Sequence, residues 1–412
     1  MQIAFIVSYF PSVSETFILN QIVGLLERGY EVDIYAEQIG NNLTIHPDVK
    51  KYRLLERTYY LPQVPENYVW RLFKGIGLLL ANGFQAPGLL MHSLNFIKYE
   101  KQALSLYLLY TAIPSLKKKY DIVHCQFGAL SFRAMAFCTI NAPQSKLITA
   151  FRGYDISGFI QKKGIHIYND LFKKEIFLLP NCEYLKQLVL KLGCSEKRVA
   201  VHRSGIDCSR FLFIPRYLPP NGRIQIITIG RFVQKKGIDY SIRAFAKLTN
   251  KHQNIEYNII GDGSLRSNIE QLIRELNVSE SVKLLGWKQQ EECIEILNNS
   301  HILIAPSVTG QDGDQEGIPN VLKEAMAMGL PVISTLHAGI PEVVEDGISG
   351  FLVPERDVDT MSEKLNYLIE HPEVWHSMGR AGRTRIEKDY NTQKLNDELV
   401  KIYQQLLNLG EG

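Results

Sequence analysis

Short runs of apolar, often β-branched residues alternate along the chain with segments whose apolar positions follow a helical period. In the first half the runs fall at residues 2–8, 31–36, 121–125, 146–150, 176–179 and 198–202. In the second they fall at 224–230, 255–260, 281–285, 301–305, 331–334 and 350–353. Such runs, bounded by turn formers, read as strands buried on both faces. Strands that take turns with helices predict parallel sheets covered on each side. Two sets are separated by Phe213-Ile214-Pro215-Arg216-Tyr217-Leu218-Pro219-Pro220-Asn221-Gly222. The pattern therefore predicts an α/β protein of two domains, residues 1–212 and 213–384, joined by a hinge. Near the end, Leu395, Leu399, Ile402, Leu406 and Leu407 can share one face of a helix.

The alternation breaks between Pro65 and Tyr120. There Trp70, Leu72, Phe73, Ile76, Leu78, Leu79, Leu80, Leu89, Leu90, Met91, Leu94, Phe96 and Ile97 stand among Arg71, Lys74, Lys98, Lys101 and Lys117 to Lys119. No run reaches the roughly 18–20 apolar residues that span a bilayer. The segment predicts inserted helices, and two readings are open. They pack on the first domain, or they lie in the plane of an anionic membrane.

Composition narrows the picture. A formal charge of +3 over 412 residues gives no footprint for nucleic acid. The opening Met1-Gln2-Ile3-Ala4-Phe5-Ile6-Val7-Ser8 has no basic prelude and soon meets Pro11, so it reads as a first strand and not as an export signal. Cys125, Cys138, Cys182, Cys194, Cys208 and Cys293 lack paired close spacing, as expected of reduced thiols in a cytoplasmic protein.

The candidate chemistry centres on Glu316-Gly317-Ile318-Pro319-Asn320-Val321-Leu322-Lys323-Glu324. Proline suits a first helical turn, where its missing N–H is not needed. Glu316 then lies on the approaching loop and Glu324 inside the helix, about 8–12 Å away by helix rise plus loop. Between them the N–H groups of residues 317–321, aided by the helix dipole, form a cradle for phosphate. A ring, a diphosphate and a ribose fit this order of groups, which describes a nucleotide sugar; two solvated helix carboxylates are the plain alternative. Upstream, the strand Ile226-Ile227-Thr228-Ile229-Gly230 runs into Arg231 and Lys236-Gly237. Cations at a strand's carboxyl end lie where ligands of open α/β sheets bind. Breaking a sugar–phosphate bond needs positive potential on the leaving oxygens. Arg231 offers a planar fork and Lys236 a mobile point charge, so no metal is required. Asp312-Gly313-Asp314 is read as a turn rather than a metal-bridging pair.

The ordered set Gly230-Arg231, Lys236-Gly237, Ile260-Gly261-Asp262-Gly263, Leu285-Gly286, Ala305-Pro306-Ser307, Glu316 to Glu324, Glu324-Ala325-Met326-Ala327 and Gly339-Ile340-Pro341-Glu342 resembles the GT4 family of retaining glycosyltransferases across the C-terminal half. The first half is similar at fewer points: Ser14-Glu15-Thr16-Phe17, His124-Cys125-Gln126-Phe127-Gly128, Arg152-Gly153-Tyr154-Asp155 and Gly205-Ile206-Asp207. The branch it looks most like builds bacterial exopolysaccharides, including colanic-acid-type glycans.

The resemblance implies the GT-B fold, two Rossmann-like domains facing across a cleft. The first would bind acceptor and the second a nucleotide sugar, with the last helices, 385–412, packing back on the first. It implies transfer from a UDP- or GDP-linked donor to a glycan or lipid-linked acceptor, with retention of configuration and no metal or other cofactor, in the cytoplasm or at the inner face of the cell membrane. Arg231, Lys236 and Glu316 would be catalytic, with Glu316 on hydroxyls of the donor sugar. The backbone of Gly317, Ile318 and Asn320 would reach sugar and β-phosphate, Pro306, Pro319 and Val321 would also line the donor, Glu324 would accept from the ribose, and Gly286 and Trp287 would flank the base. Ser14, Glu15, Thr16, His124, Arg152, Gly153 and Asp155 would face the cleft or the acceptor. Two of these carry a second reading: Ser14 to Thr16 as a helix cap, and His124 as a structural residue. Arg152 departs from the family, in which most members have histidine before this glycine. A permanent cation cannot serve as a neutral base, so Arg152 is expected to meet phosphate or an acidic group. A sugar-nucleotide epimerase and a non-catalytic two-lobed binding protein stay open as alternatives, although the former needs another acidic constellation and the latter is normally exported.

Overall fold

The computed structural model describes residues 1–12, 15–40, 46–113 and 118–408. The first lobe is built on β1 (Gln2–Phe10), β2 (Glu31–Ile39), β3 (Thr58–Tyr60), β4 (Ile122–Cys125), β5 (Lys146–Phe151) and β6 (Phe177–Pro180). The second is built on β7 (Ile224–Ile229), β8 (Ile255–Ile260), β9 (Val282–Gly286), β10 (Ile302–Ala305), β11 (Val332–Thr335) and β12 (Gly350–Val353). The orders are β3-β2-β1-β4-β5-β6 and β12-β11-β10-β7-β8-β9, and neighbouring strands pair in parallel. This is the GT-B arrangement. In each sheet the order reverses beside the lobe's first strand, β1 or β7, which opens a crevice at its carboxyl end. Helices cover both faces, which is why Ile3, Ala4, Phe5, Ile6 and Val7 are all fully buried and show no polar alternation.

Two strands differ from expectation. Thr58-Tyr59-Tyr60 forms an edge strand that is too short to show a period. Residues 198–202 do not form a strand: Val199 makes one bridge to Leu178, while Ala200 and His202 donate to the carbonyls of Leu178 and Pro180 at 3.1 and 3.0 Å. The stretch runs along the edge of the sheet beside β6.

The chain returns to the first lobe later than residue 385. The helix Trp375–Asp389 stays on the second lobe, where Arg383 donates to the carbonyl of Ala327 at 2.9 Å. Crossing occurs at Tyr390 and Asn391. The helix Thr392–Asn408 then packs on the helix Thr16–Glu27, with Leu399 and Tyr403 fully buried and Asn396 donating to the carbonyl of Asn20 at 3.1 Å. Residues 409–412 lie outside the described residues. The outbound crossing lies alongside, since Ile206 N–H donates to the carbonyl of Tyr390 at 2.9 Å and Thr392 N–H to that of Ile206 at 3.0 Å.

The linker after Phe213 is tied to the second lobe by Arg216, which is 4% exposed. Its guanidinium donates to the carbonyls of Leu297, Asn298 and Met328 at 3.2, 3.0 and 3.2 Å, the C-terminal ends of the helices Gln290–Asn298 and Asn320–Ala327. Burial lowers its pKa to about 10, so it stays charged at neutral pH and complements both helix dipoles. Replacing Arg216 with methionine strands these carbonyls and is expected to cost about 2–4 kcal/mol, seen as a lower urea midpoint at unchanged slope.

Candidate active site

Gly237 sets the first contact. Its φ is +60°, and a Cβ there would lie 2.1 Å from the carbonyl oxygen of Pro306. Only glycine lets the loop after β7 press against the loop after β10. That approach brings Lys236 Nζ within 2.7 and 2.8 Å of the two carboxylate oxygens of Glu316, in a pair only 18 and 13% exposed. Ser307 Oγ adds a 3.4 Å contact to the same carboxylate. Burial works to raise the pKa of Glu316, but the charges of Lys236 and Lys235 outweigh it and hold the carboxyl below its usual range. Glu316 is therefore ionised and electrically matched. Its own N–H donates to His337 Nε2 at 3.2 Å, while His337 Nδ1 lies 2.6 Å from Glu355. This chain fixes the loop's backbone. Arg231 is exposed at the end of β7.

Pro319 sits one residue outside the helix it was expected to begin; it is the N-cap, with ψ of 132°, and the helix runs Asn320–Ala327. One turn in, Glu324 lines a small cavity with Thr16, Gly205, Asp207 and Arg210 of the other lobe's side. Burial pushes its carboxyl up to about 7. Its neighbour Lys323 is 1% exposed and donates to the carbonyl of Ser204 at 2.5 Å, with burial bringing its pKa down to about 7. Asp312 accepts the N–H of Asp314 at 3.1 Å and Asp314 pairs with Lys235 at 2.8 Å, the geometry of a turn.

The first lobe meets this site through Gly153. With φ of +111°, a Cβ on it would lie 2.6 Å from the carbonyl of Gln315 and 3.2 Å from the nitrogen of Gly317, so the backbones of the lobes touch beside Glu316. Arg152 donates to Ser204 Oγ at 2.5 Å and Gln126 Oε1 at 2.9 Å, and its guanidinium lies 4.1 Å over the ring of Phe17. Burial lowers its pKa to about 10. Glu15 is the N-cap of the helix Thr16–Glu27 but makes no capping bond. It lines a larger cavity that Tyr9, Phe10, Thr16 and His46 share with Trp287 and Gln290 of the second lobe. Burial pushes the Glu15 carboxyl up to about 7, against the pull of Arg152 and Arg231. Gly286, with φ of +72°, turns the chain so that Trp287 stands half exposed on that wall.

Two residues expected at the cleft are elsewhere. His124 is 0% exposed, with Nδ1 2.5 Å from the Tyr403 hydroxyl, and burial drives its pKa well down. It joins the returning helix to the sheet. Asp155 is 2% exposed and accepts the N–H groups of Arg152 and Ala129 at 3.0 and 3.4 Å, so it shapes the turn behind Gly153. His124 thus follows the structural one of its two readings, and the cleft expectation is corrected for Asp155: a strand-end or loop position does not reveal which way a side chain is sealed. Ser14 lies outside the described residues. Glu342, at the end of the Gly339-Ile340-Pro341-Glu342 motif, has its role between the lobes. Its carboxylate accepts the N–H groups of Glu183 and Tyr184 at 3.0 and 2.9 Å, capping a first-lobe helix, Glu183–Lys191, from the second lobe.

Residues 210–385 match the family model described as glycosyl transferases group 1. The putative colanic acid biosynthesis glycosyltransferase WcaL of Escherichia coli (strain K12) is 33% identical, over 98% of this chain and 100% of the relative. The amylovoran biosynthesis glycosyltransferase AmsK of Erwinia amylovora is 32% identical over the same shares. In fold, the chain resembles HepE of Anabaena, solved with UDP-glucose, at a TM-score of 0.70 and 14% identity over 98% of this chain and 100% of that one. These likenesses do not favour an epimerase or a non-catalytic binding protein. Identity of 32–33% sustained end to end with these glycosyltransferases places this chain in the GT4 family of glycosyltransferases.

Proposed function

We propose that this transferase moves a sugar from a UDP- or GDP-linked donor to a glycan or lipid-linked acceptor of a bacterial surface polysaccharide, with retention of configuration and without a metal. The observation that carries this reading is the Lys236–Glu316 pair set before the helix Asn320–Ala327, with Glu324 one turn beyond. An ionised Glu316 can accept from sugar hydroxyls. Lys236, Arg231 and the N–H groups of Gly317, Ile318 and Asn320 can then meet the diphosphate, whose charge grows as the bond breaks. Glu324 is spaced to accept from the ribose. The acceptor hydroxyl attacks from the face the diphosphate leaves, and a departing phosphate oxygen takes its proton. WcaL and AmsK are named for the biosynthesis of colanic acid and amylovoran, and HepE was solved with UDP-glucose. Those names support the acceptor class and the donor class respectively. A lipid-linked acceptor places the work at the cytoplasmic face of the membrane.

The test is a calorimetric screen of UDP- and GDP-sugars followed by turnover on membrane extracts. The expected results are heat with at least one donor, a product of retained anomeric configuration by NMR, and activity unchanged by EDTA. Silence with every donor would overturn the reading as a whole. An inverted product would remove retention, and EDTA loss reversed by manganese would remove metal independence.

A further inference from the structure

Among the described residues four α-helices lie between β3 and β4: Tyr68–Asn82, Pro87–Ser93, Phe96–Leu104 and Tyr107–Ala112. The last is core, with Leu108, Leu109 and Tyr110 fully buried. The first is different. Val69, Phe73, Ile76 and Leu80 follow one another at helical spacing and are 59, 64, 47 and 75% exposed, flanked by Leu72 and Trp70 at 42 and 70%. The opposite side is the one that meets protein: a Cβ on Gly75 would lie 3.0 Å from Leu106 Cδ1, whereas one on Gly77 would meet nothing within 4 Å. A solvated surface helix is apolar on one side only. This one is apolar on both. In the same inserted segment Phe84, Met91 and Ile97 are also 100, 75 and 84% exposed, and exposed apolar surface of this extent marks a docking site.

Charge and length decide what docks there. From Asn67 to Tyr99 the chain has no aspartate or glutamate, but it has Arg71, Lys74 and Lys98. Lys74 lies one turn after Trp70, at the border of the apolar stripe, and is exposed, as is Lys98. A second copy seated face to face would bring these cations against their like, whereas a bilayer with anionic headgroups offers them phosphate and offers the stripe its acyl chains. The helix Tyr68–Asn82 has 15 residues, about 22 Å at 1.5 Å per residue, too short to cross a hydrocarbon core of about 30 Å. Among the described residues no helix is long and apolar enough to cross a membrane.

We propose that the outward face of Tyr68–Asn82, extended by Phe84, Met91 and Ile97, docks the first lobe on an anionic lipid surface, lying in its plane. Val69, Phe73, Ile76 and Leu80 enter the acyl boundary, Trp70 sits at headgroup level, and Lys74 and Lys98 contact lipid phosphates. The inference rests on the surface alone and stands whatever the donor is.

The test is flotation of the full chain with vesicles of equal phosphatidylglycerol and phosphatidylcholine at low salt. Wild type is expected to float, and to float less on pure phosphatidylcholine. The double variant Phe73→Glu with Ile76→Glu is expected to lose at least about tenfold in bound fraction. Lys74→Glu with Lys98→Glu is expected to abolish the preference for anionic vesicles. Unchanged circular dichroism and melting would show each variant folded. The proposal is overturned if wild type stays at the bottom, or if the Phe73/Ile76 variant floats like wild type. It is also overturned if light scattering finds a dimer that this variant dissolves while vesicles bind neither form.

Discussion

Replacing Lys236 with methionine is expected to lower kcat/KM by about 10²–10³-fold, the usual loss when one fixed group aimed at developing charge is removed. The effect has two parts that separate. Lys236 faces the leaving diphosphate in the proposed reaction, and in the free protein it balances Glu316 at 2.7 Å inside a pair that is mostly sealed from water. Without it, Glu316 is a buried carboxylate without its main partner, and the single variant is expected to lose about 2–4 kcal/mol of stability. Pairing Lys236→Met with Glu316→Gln removes the unmatched charge and should return much of that stability. Turnover should stay low, because neither the cation nor the sugar-binding carboxylate is restored. Melting curves beside steady-state rates of the two variants make the comparison. Near-normal turnover in the single variant, or turnover that recovers together with stability in the double, would show the pair to be structural.

Glu324 should make donor binding depend on pH in a stated direction. Burial raises its pKa to about 7, against the opposing charges of Lys323, Lys236 and Arg210. Two ribose hydroxyls are best accepted by the ionised form. Donor affinity is therefore expected to rise as pH goes from 6 to 8, by up to about tenfold per unit below the pKa, with a proton released on binding. The diphosphate of a nucleotide sugar is fully esterified and does not titrate in this range. Glu15, also pushed up to about 7, lies on the neighbouring cavity, so Glu15→Gln is the matching control. Glu324→Gln should bind weakly at every pH and flatten the profile. Stability moves the other way. A folded-state pKa above the unfolded value of 4.5 means that stability present at low pH is lost as pH rises through about 7. Glu324→Gln should accordingly melt no lower than wild type at pH 8. Calorimetry that finds the same pH slope in wild type and Glu324→Gln would remove the ribose role.

The second lobe was legible strand by strand because its inner strands, such as Ile302–Ala305 and Val332–Thr335, are buried on both faces and its strands are bounded by glycine, proline or polar turns. In the first lobe, Thr58–Tyr60 escaped because three residues carry no period, and 198–202 misled because an apolar run can lie extended along a sheet without joining it. At the site, the spacing of Arg231, Lys236, Glu316 and Glu324 was visible since all follow strands of one sheet. Burial was not visible. His124 and Asp155 have the residue types of a working site, yet their partners Tyr403 and Arg152 N–H seal them from the cleft. Contacts between lobes were equally hidden: Glu342 reaches a helix cap 159 residues away, and Lys323 a carbonyl 119 residues away. No local pattern encodes such distances.

The two strands of chain that join the lobes are stitched to each other at Ile206 and Asn391. A pair of tethers fastened side by side works as one pivot. Any relative movement of the halves that keeps these bonds is a rotation about that seam, largest at the rim farthest from it. A substitution that loosens the stitch should therefore blur alignment at Gly153 and Glu316 without touching either.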